Sequence, residues 1–138
     1  TEHRVRGPAG RGQEPHHRQR RQQRDRAEQR HDLDAVMSMM TEDCVFPASA
    51  GDEVEGKRIV GQQAVREAFA AILANTPDAQ WRDAEHTVGG DRACTRWRFT
   101  GTTVDGTVVE TIGCDLFHFR GDKIWIKDTL RKQPSTGT

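Results

Sequence analysis

The sequence predicts a single α+β domain with helices on one face of an antiparallel sheet, and three observations carry that reading. Apolar residues at helical spacing come first, in Leu33, Val36, Met37 and Met40 and again between Gln62 and Asn75. Runs rich in Thr, Val, Ile, Phe and Trp follow, separated by Gly89-Gly90, Asp105-Gly106 and Gly121-Asp122 in the manner of successive hairpins. Helices before a meander put the helices on one sheet face. A chain of 138 residues supports one core, not two.

The first 31 residues stand apart. Their apolar side chains are Val5, Ala9 and Ala27, and nine Arg face four acids. Of the 21 bases and 21 acids in the chain, that leaves twelve against seventeen in the remainder. Segment 1–31 has too little apolar surface to offset the entropy of ordering a backbone, so it is expected to be disordered, or a polar helix from about His17. The domain proper is expected over 32–133, with 134–138 as a tail. Clustered Arg can neutralise phosphates, but no aromatic residue interleaves to stack a base, so a solvated segment is expected rather than a nucleic-acid arm. His16 and His17 lack a third metal ligand nearby.

Asp32 is placed to cap a short helix that runs to about Thr41. Cys44, Val45 and Phe46 then form a short strand stopped by Pro47, and the loop ASAGDEVEGKR serves as a turn or a pocket lid. In the helix Gln62–Asn75, Ala64, Val65, Ala68, Phe69, Ile72 and Leu73 make one stripe, closed by Thr76 and Pro77. Strands are expected at about 79–88, 92–104, 107–120 and 123–131.

Two-residue turns fix a register. With Asp105-Gly106 as the turn, Arg96 lies opposite Asp115; with Gly121-Asp122 as the next, Asp115 lies opposite Asp128. Arg96, Asp115 and Asp128 then form one row, on a face that also carries Phe117, Phe119, Ile124, Ile126 and Leu130 and so belongs under the helices. A charged row in an apolar wall suggests a pocket in which the two carboxyls share a proton, one donating and the other ionised against Arg96. These three are the candidate catalytic residues for general acid and base chemistry. The alternative is an ordinary cross-strand ion pair, which the repulsion of a second carboxylate argues against. Met37, Met40, Phe46, Phe69, Trp81, Arg98, Phe117 and Ile126 are the candidate substrate-binding wall for an apolar small molecule. The opposite face, with Trp97, Phe99, Ile112, Leu116, His118, Trp125 and Lys127, suits a homodimer interface.

Cys44, Cys94 and Cys114 are odd in number and widely spaced, which favours reduced thiols and a cytoplasmic setting. No run approaches the roughly 18 apolar residues of a membrane span, and the Arg-rich start lacks the apolar stretch of a secretory signal. His86 and His118 read as structural or solvent-facing. No Ser, His and Asp grouping and no Gly-rich phosphate loop can be placed, and neither a metal nor an organic cofactor is implied.

In order from about Asp32, the segments DLDAVMSMMTEDCVF, GQQAVREAF and GCDLFHFRGDKIWIKDTLRK resemble SnoaL-like members of the nuclear-transport-factor-2-like superfamily. The resemblance implies a curved sheet wrapped by helices around a cone-shaped pocket, usually dimeric. Its members include polyketide cyclases, a ketosteroid isomerase, limonene epoxide hydrolase, dehydratases and non-catalytic binding modules, so fold alone does not select a function. Asp115 in CDLFHF takes the place of the isomerase's oxyanion-hole aspartate, but Ala48 stands near its base and the chain has no Tyr, so steroid isomerisation is not expected. Arg96 and Asp128 resemble two members of the epoxide hydrolase's Arg and paired-Asp site, with Arg98 where its other Asp would be. The long amphipathic helix with which the family begins is replaced by RQRRQQRDRAEQR, the pattern that an altered reading frame or an incorrect start would leave. The expected function is a small-molecule pocket protein, either a cofactor-independent isomerase, cyclase, lyase or hydrolase, or a ligand-binding or accessory module.

Overall fold

The computed structural model describes residues 8–133, with side chains from His17 onward; residues 1–7 and the expected tail at 134–138 lie outside the described residues. Helix α1 (Pro8–Gln29) is polar in composition, yet His17, Arg21, Arg24 and Ala27 are fully buried. Their spacing is one helical stripe. Of the segment expected to be disordered or a polar helix from about His17, residues 8–29 are therefore a helix, with a buried face from His17 onward, and the packed unit reaches upstream of position 32. Arg stems supply the apolar contact that Leu would normally provide. At the C-terminal end of α1, Gln29 hydrogen-bonds the backbone of Trp81, and the His31 Nε2 lies 2.7 Å from the Ala79 carbonyl.

Asp32 caps α2 (Leu33–Ser38), accepting a bond from the Ala35 N–H at 3.1 Å. Strand β1 (Met40–Pro47) follows at once. The loop after it is a hairpin, because Ala48 and Lys57 close it through backbone bonds to Lys57 and Ala50, both at 2.9 Å, and the chain returns as β2 (Arg58–Val60). Gly56 makes the closure possible: at φ +82 any Cβ would lie 1.8 Å from the Ala48 carbonyl oxygen. Helix α3 (Gln62–Asn75) spans the predicted residues and buries Val65 and Phe69. Its first residue ties it to the end of α2 and the start of β1, since the Gln62 amide donates to the carbonyls of Met37, Met40 and Thr41 at 3.0–3.1 Å.

Strands β3 (Gln80–Gly89), β4 (Arg92–Thr102), β5 (Val108–Arg120) and β6 (Lys123–Arg131) complete a sheet in the order β2-β1-β6-β5-β4-β3. All neighbours are antiparallel except β1 and β6, which run parallel, so the sheet is mixed. The β4–β5 turn differs from expectation. Thr103 donates to the Thr107 carbonyl at 2.9 Å and Gly106 to the Thr103 carbonyl at 2.8 Å, so the loop has three residues, Val104, Asp105 and Gly106, with Gly106 at φ +91. One extra loop residue exchanges the faces of one strand relative to the other. Thr95 therefore lies opposite Asp115, and Arg96 opposite Cys114. Between β5 and β6, Arg120 pairs with Lys123 as expected, but a bulge between His118 and Phe119 then sets Asp115 opposite Thr129 and Leu116 opposite Asp128.

The face under the helices consequently holds Ala93, Thr95, Trp97, Phe99, Asp115, Phe117, Phe119, Ile124, Lys127 and Thr129, all buried. Arg96, Arg98, Leu116, His118, Ile126, Asp128 and Leu130 lie on the outer face. The main core joins α2, β1, α3 and this covered face, and a smaller cluster surrounds Ala79, Trp97 and Phe99. No helix among the described residues is long and apolar enough to cross a membrane.

Candidate functional site

Asp115 sits mid-strand in β5, 2 % exposed, and three donors converge on it. The Thr129 hydroxyl donates at 2.6 Å and the Lys127 ammonium at 3.1 Å to Oδ1, while the Trp97 indole N–H donates at 3.0 Å to Oδ2. The bulge in β6 brings Lys127 and Thr129 onto the covered face, two residues apart, and Lys127 also bonds the Thr129 hydroxyl at 2.9 Å. The Trp97 ring lies against Gly113, where a Cβ would come within 2.5 Å of it. Burial pushes the Asp115 carboxyl up, but the Lys127 charge, the Thr129 bond and the Arg21 charge together outweigh it and hold it below its ordinary value. Asp115 is thus an ionised acceptor with no proton to donate.

Lys127 is the polar group that faces outward from this network. Its Nζ lies 4.8 Å from the centre of the Phe46 ring and 5.4 Å from that of Phe69, and its side chain is 9 % exposed. It lines a cavity of about 50 Å³ beneath α1, α2 and α3, with Val36, Phe69, Leu73, Trp81, Arg24 and Glu28 among the other walls. Arg24 pairs with Glu28 at 3.1 Å one helical turn on.

A second polar group lies beside Asp115. Arg21 spreads its guanidinium over the Phe117 ring at 3.9 Å and donates through Nε to the Thr95 hydroxyl at 3.0 Å; both terminal nitrogens are buried without a hydrogen-bond partner. Burial lowers its pKa to about 10, so it stays charged at neutral pH. The His86 Nδ1 lies 2.8 Å from the same Thr95 hydroxyl, and burial followed by the Arg21 and Arg18 charges lowers its pKa to about 4.

The structure therefore separates the residues that the sequence grouped. Arg96 is exposed on the outer face, and Asp128 is half-buried there, its carboxyl pushed up by burial and by Glu55. Only Asp115 of the three lies on the covered face. Of the expected wall, Phe69 and Trp81 line the cavity, whereas Met37, Met40, Phe46 and Phe117 are packed in the core around it. Arg98 is on the outer face, 3.1 Å from Glu110, and Ile126 is there too, opposite His118. Trp97, Phe99 and Lys127, expected on an interface, are instead on the covered face. Sequence reasoning missed Lys127, Thr129, Trp97, Arg21 and Arg24 as site residues. Among the described residues no group of three His, Cys, Asp or Glu could hold a metal ion, and the three cysteines are free thiols.

This architecture recurs in solved structures. A proposed polyketide cyclase from Xanthomonas campestris pv. campestris superposes with a TM-score of 0.74 at 20 % identity, covering 85 % of this chain and 90 % of that one. A nuclear-transport-factor-2-like protein of unknown function from Mesorhizobium loti gives 0.73 at 26 % identity, over 88 % and 94 % of the two chains. TerC, co-crystallized with polyporic acid, gives 0.73 at 16 % identity, over 85 % and 92 %. Comparison with curated proteins finds no match. The model of the SnoaL-like domain matches residues 21–126. The chain belongs to the SnoaL-like family. In this SnoaL-like protein the matched region starts at Arg21, inside α1, so the family pattern includes the half of the helix that carries Arg21, Arg24 and Ala27.

Proposed function

We propose that this SnoaL-like protein binds a small, largely apolar molecule in the cavity beneath its helices, with Lys127 as the polar anchor. The observation that carries this reading is the Lys127 ammonium, braced from behind by Asp115 and Thr129 and lining a cavity whose apolar wall is Leu33, Val36, Phe69, Ile72, Leu73 and Trp81, with Arg24, Glu28, His31 and Asp32 as the other polar groups. A few convergent polar groups in an apolar recess are the usual make-up of a ligand site. The cavity of about 50 Å³ is smaller than the ~150 Å³ that accommodates benzene. A ring-sized ligand therefore seats by moving the wall, and the side chains of α1 are the part of that wall that rests on the sheet through polar groups. Support for binding over acid and base catalysis comes from Asp115, whose oxygens are committed to three donors, and from Asp128, which lies across the sheet from it. TerC, of the same fold, was crystallized with polyporic acid.

A thermal-shift screen of small apolar molecules tests the reading, with Trp81 in the cavity wall as a fluorescence reporter. Compounds that raise the Tm of the wild type are expected to lose their effect in Lys127→Met. Compounds that act equally on both proteins would place the ligand elsewhere.

A second copy of the chain is the proposed partner for the outer face. Leu116 and Leu130 are 37 % and 51 % exposed there, next to half-buried Ile112 and Ile126. Light scattering is expected to give a dimer for the wild type and a monomer for Leu116→Glu.

A further inference from the structure

We infer that the ligand of this cavity is a monoanion, a carboxylate or phenolate carried on an apolar body, an inference that rests on the pocket reading above. Three buried cations meet on two neighbouring rings. The Phe117 ring has the Arg21 guanidinium at 3.9 Å and that of Arg24 at 5.9 Å, and the Phe69 ring has Arg24 at 5.5 Å and the Lys127 ammonium at 5.4 Å. Two of these cations have an acid of their own: Lys127 has Asp115 at 3.1 Å and Arg24 has Glu28 at 3.1 Å. Arg21 has none in hydrogen-bond contact. Its Nε is spent on the neutral Thr95 hydroxyl, and both terminal nitrogens are buried and unbonded. Half-buried Asp25, one turn along α1, acts on Arg21 only through space and is not bonded to it.

Counted by direct contact, the cluster carries one cation more than its bonded acids neutralise, offset only through space by Glu28, Asp115 and Asp25, in a setting where weak screening magnifies the imbalance. An anion in the cavity would meet Arg24 and Lys127 directly, since both line it; the two acids that also line it are engaged, Glu28 with Arg24 and Asp32 with Arg30 and the Ala35 N–H, and Arg21, outside the lining, adds its charge through the ring that Arg24 shares. A neutral ligand would leave the surplus in place. A cationic ligand would add to it.

Three probes with one ring and different charge separate the cases: benzoate, benzamide and benzylamine, titrated into the full chain by calorimetry at neutral pH and followed by Trp fluorescence. Benzoate is expected to bind roughly ten- to a hundredfold more tightly than benzamide, the range of a charged hydrogen bond, with benzylamine weakest. The preference is expected to shrink in Arg21→Met and in Arg21→Gln, the second keeping the length and polarity of the side chain. Benzamide binding as tightly as benzoate would overturn the anion inference and leave the pocket reading standing. No binding of any probe would overturn both. A preference that survives both Arg21 variants, each shown folded by circular dichroism, would overturn the role given to the surplus charge.

Discussion

The Lys127 ammonium lies 3.1 Å from the Asp115 carboxylate, with side-chain exposures of 9 % and 2 %. A pair this deep is more costly to break than to replace, because removing one partner leaves the other charge buried alone. Asp115→Asn is expected to cost about 3–5 kcal/mol in urea denaturation, and the double variant Asp115→Asn, Lys127→Met less than the two single changes together. The pair also sets a pH dependence. The carboxyl of Asp115 is held below its unfolded value near 3.9, so the folded state binds its proton less readily than the unfolded state does. That stability is fully present above about pH 5 and is lost as pH falls through the depressed folded value. Asp115→Asn is expected to flatten the stability profile below about pH 5, and an unchanged slope there would contradict the assignment.

His86 acts in a separate window. Its pKa falls to about 4 in the fold, first through burial and then through the Arg21 and Arg18 charges, against about 6.5 when unfolded. The neutral ring is the form that the fold accepts. Its contribution is complete above pH 6.5 and is lost as pH falls towards 4, worth about 1–2 kcal/mol after allowing for its partial exposure. Tm measured from pH 7 to pH 4 should fall less steeply in His86→Gln than in the wild type. Equal slopes would mean that the ring takes its proton without cost.

Much of the sheet was legible in the sequence, and the face assignment was too, had the strand patterns outweighed the turn. In β4 the large apolar residues are Trp97 and Phe99, and in β5 they are Phe117 and Phe119, all at odd positions, so a register that puts both sets on one face must pair odd with odd. A two-residue Asp105-Gly106 turn pairs odd with even; the three-residue loop satisfies the pattern. The Lys127 position was not legible. It depends on a bulge in β6, and no residue there announces one in the way that Gly announces a turn. The buried face of α1 was hidden for a different reason, since His17, Arg21 and Arg24 have helical spacing but are residue types that normally remain in water.

Gly113 tests the seating of Trp97. It has no positive φ to explain a glycine; a Cβ there would meet the Leu130 carbonyl oxygen and the Trp97 ring, each at 2.5 Å. Backbone on one side and a wedged indole on the other leave little room to relax. Gly113→Ala is expected to cost about 1–3 kcal/mol, as overpacking does, and to pull the indole N–H off Asp115. The indole proton of Trp97 in an NMR spectrum would report the second effect, and a variant of wild-type stability with an unshifted resonance would show that the strand has slack at this point.

Arg21 should behave in the opposite sense. Its guanidinium is fully buried, bonded only through Nε, and held against desolvation by Thr95 and the Phe117 ring. Unbonded polar atoms in the interior cost free energy that a hydrophobic side chain of similar length does not incur. Arg21→Met keeps the stem that fills the groove over Phe117 and removes the charge, so it is expected to leave stability unchanged or raise it by up to about 4 kcal/mol, the range seen when buried charge is replaced by apolar packing. The His86 titration should move with it, because Arg21 is the largest of the charges that depress that ring. A variant that melts lower than the wild type, with His86 unmoved, would mean that Arg21 holds α1 to the sheet by its charge, and that removing a charge at this position is not the same as relieving a burden.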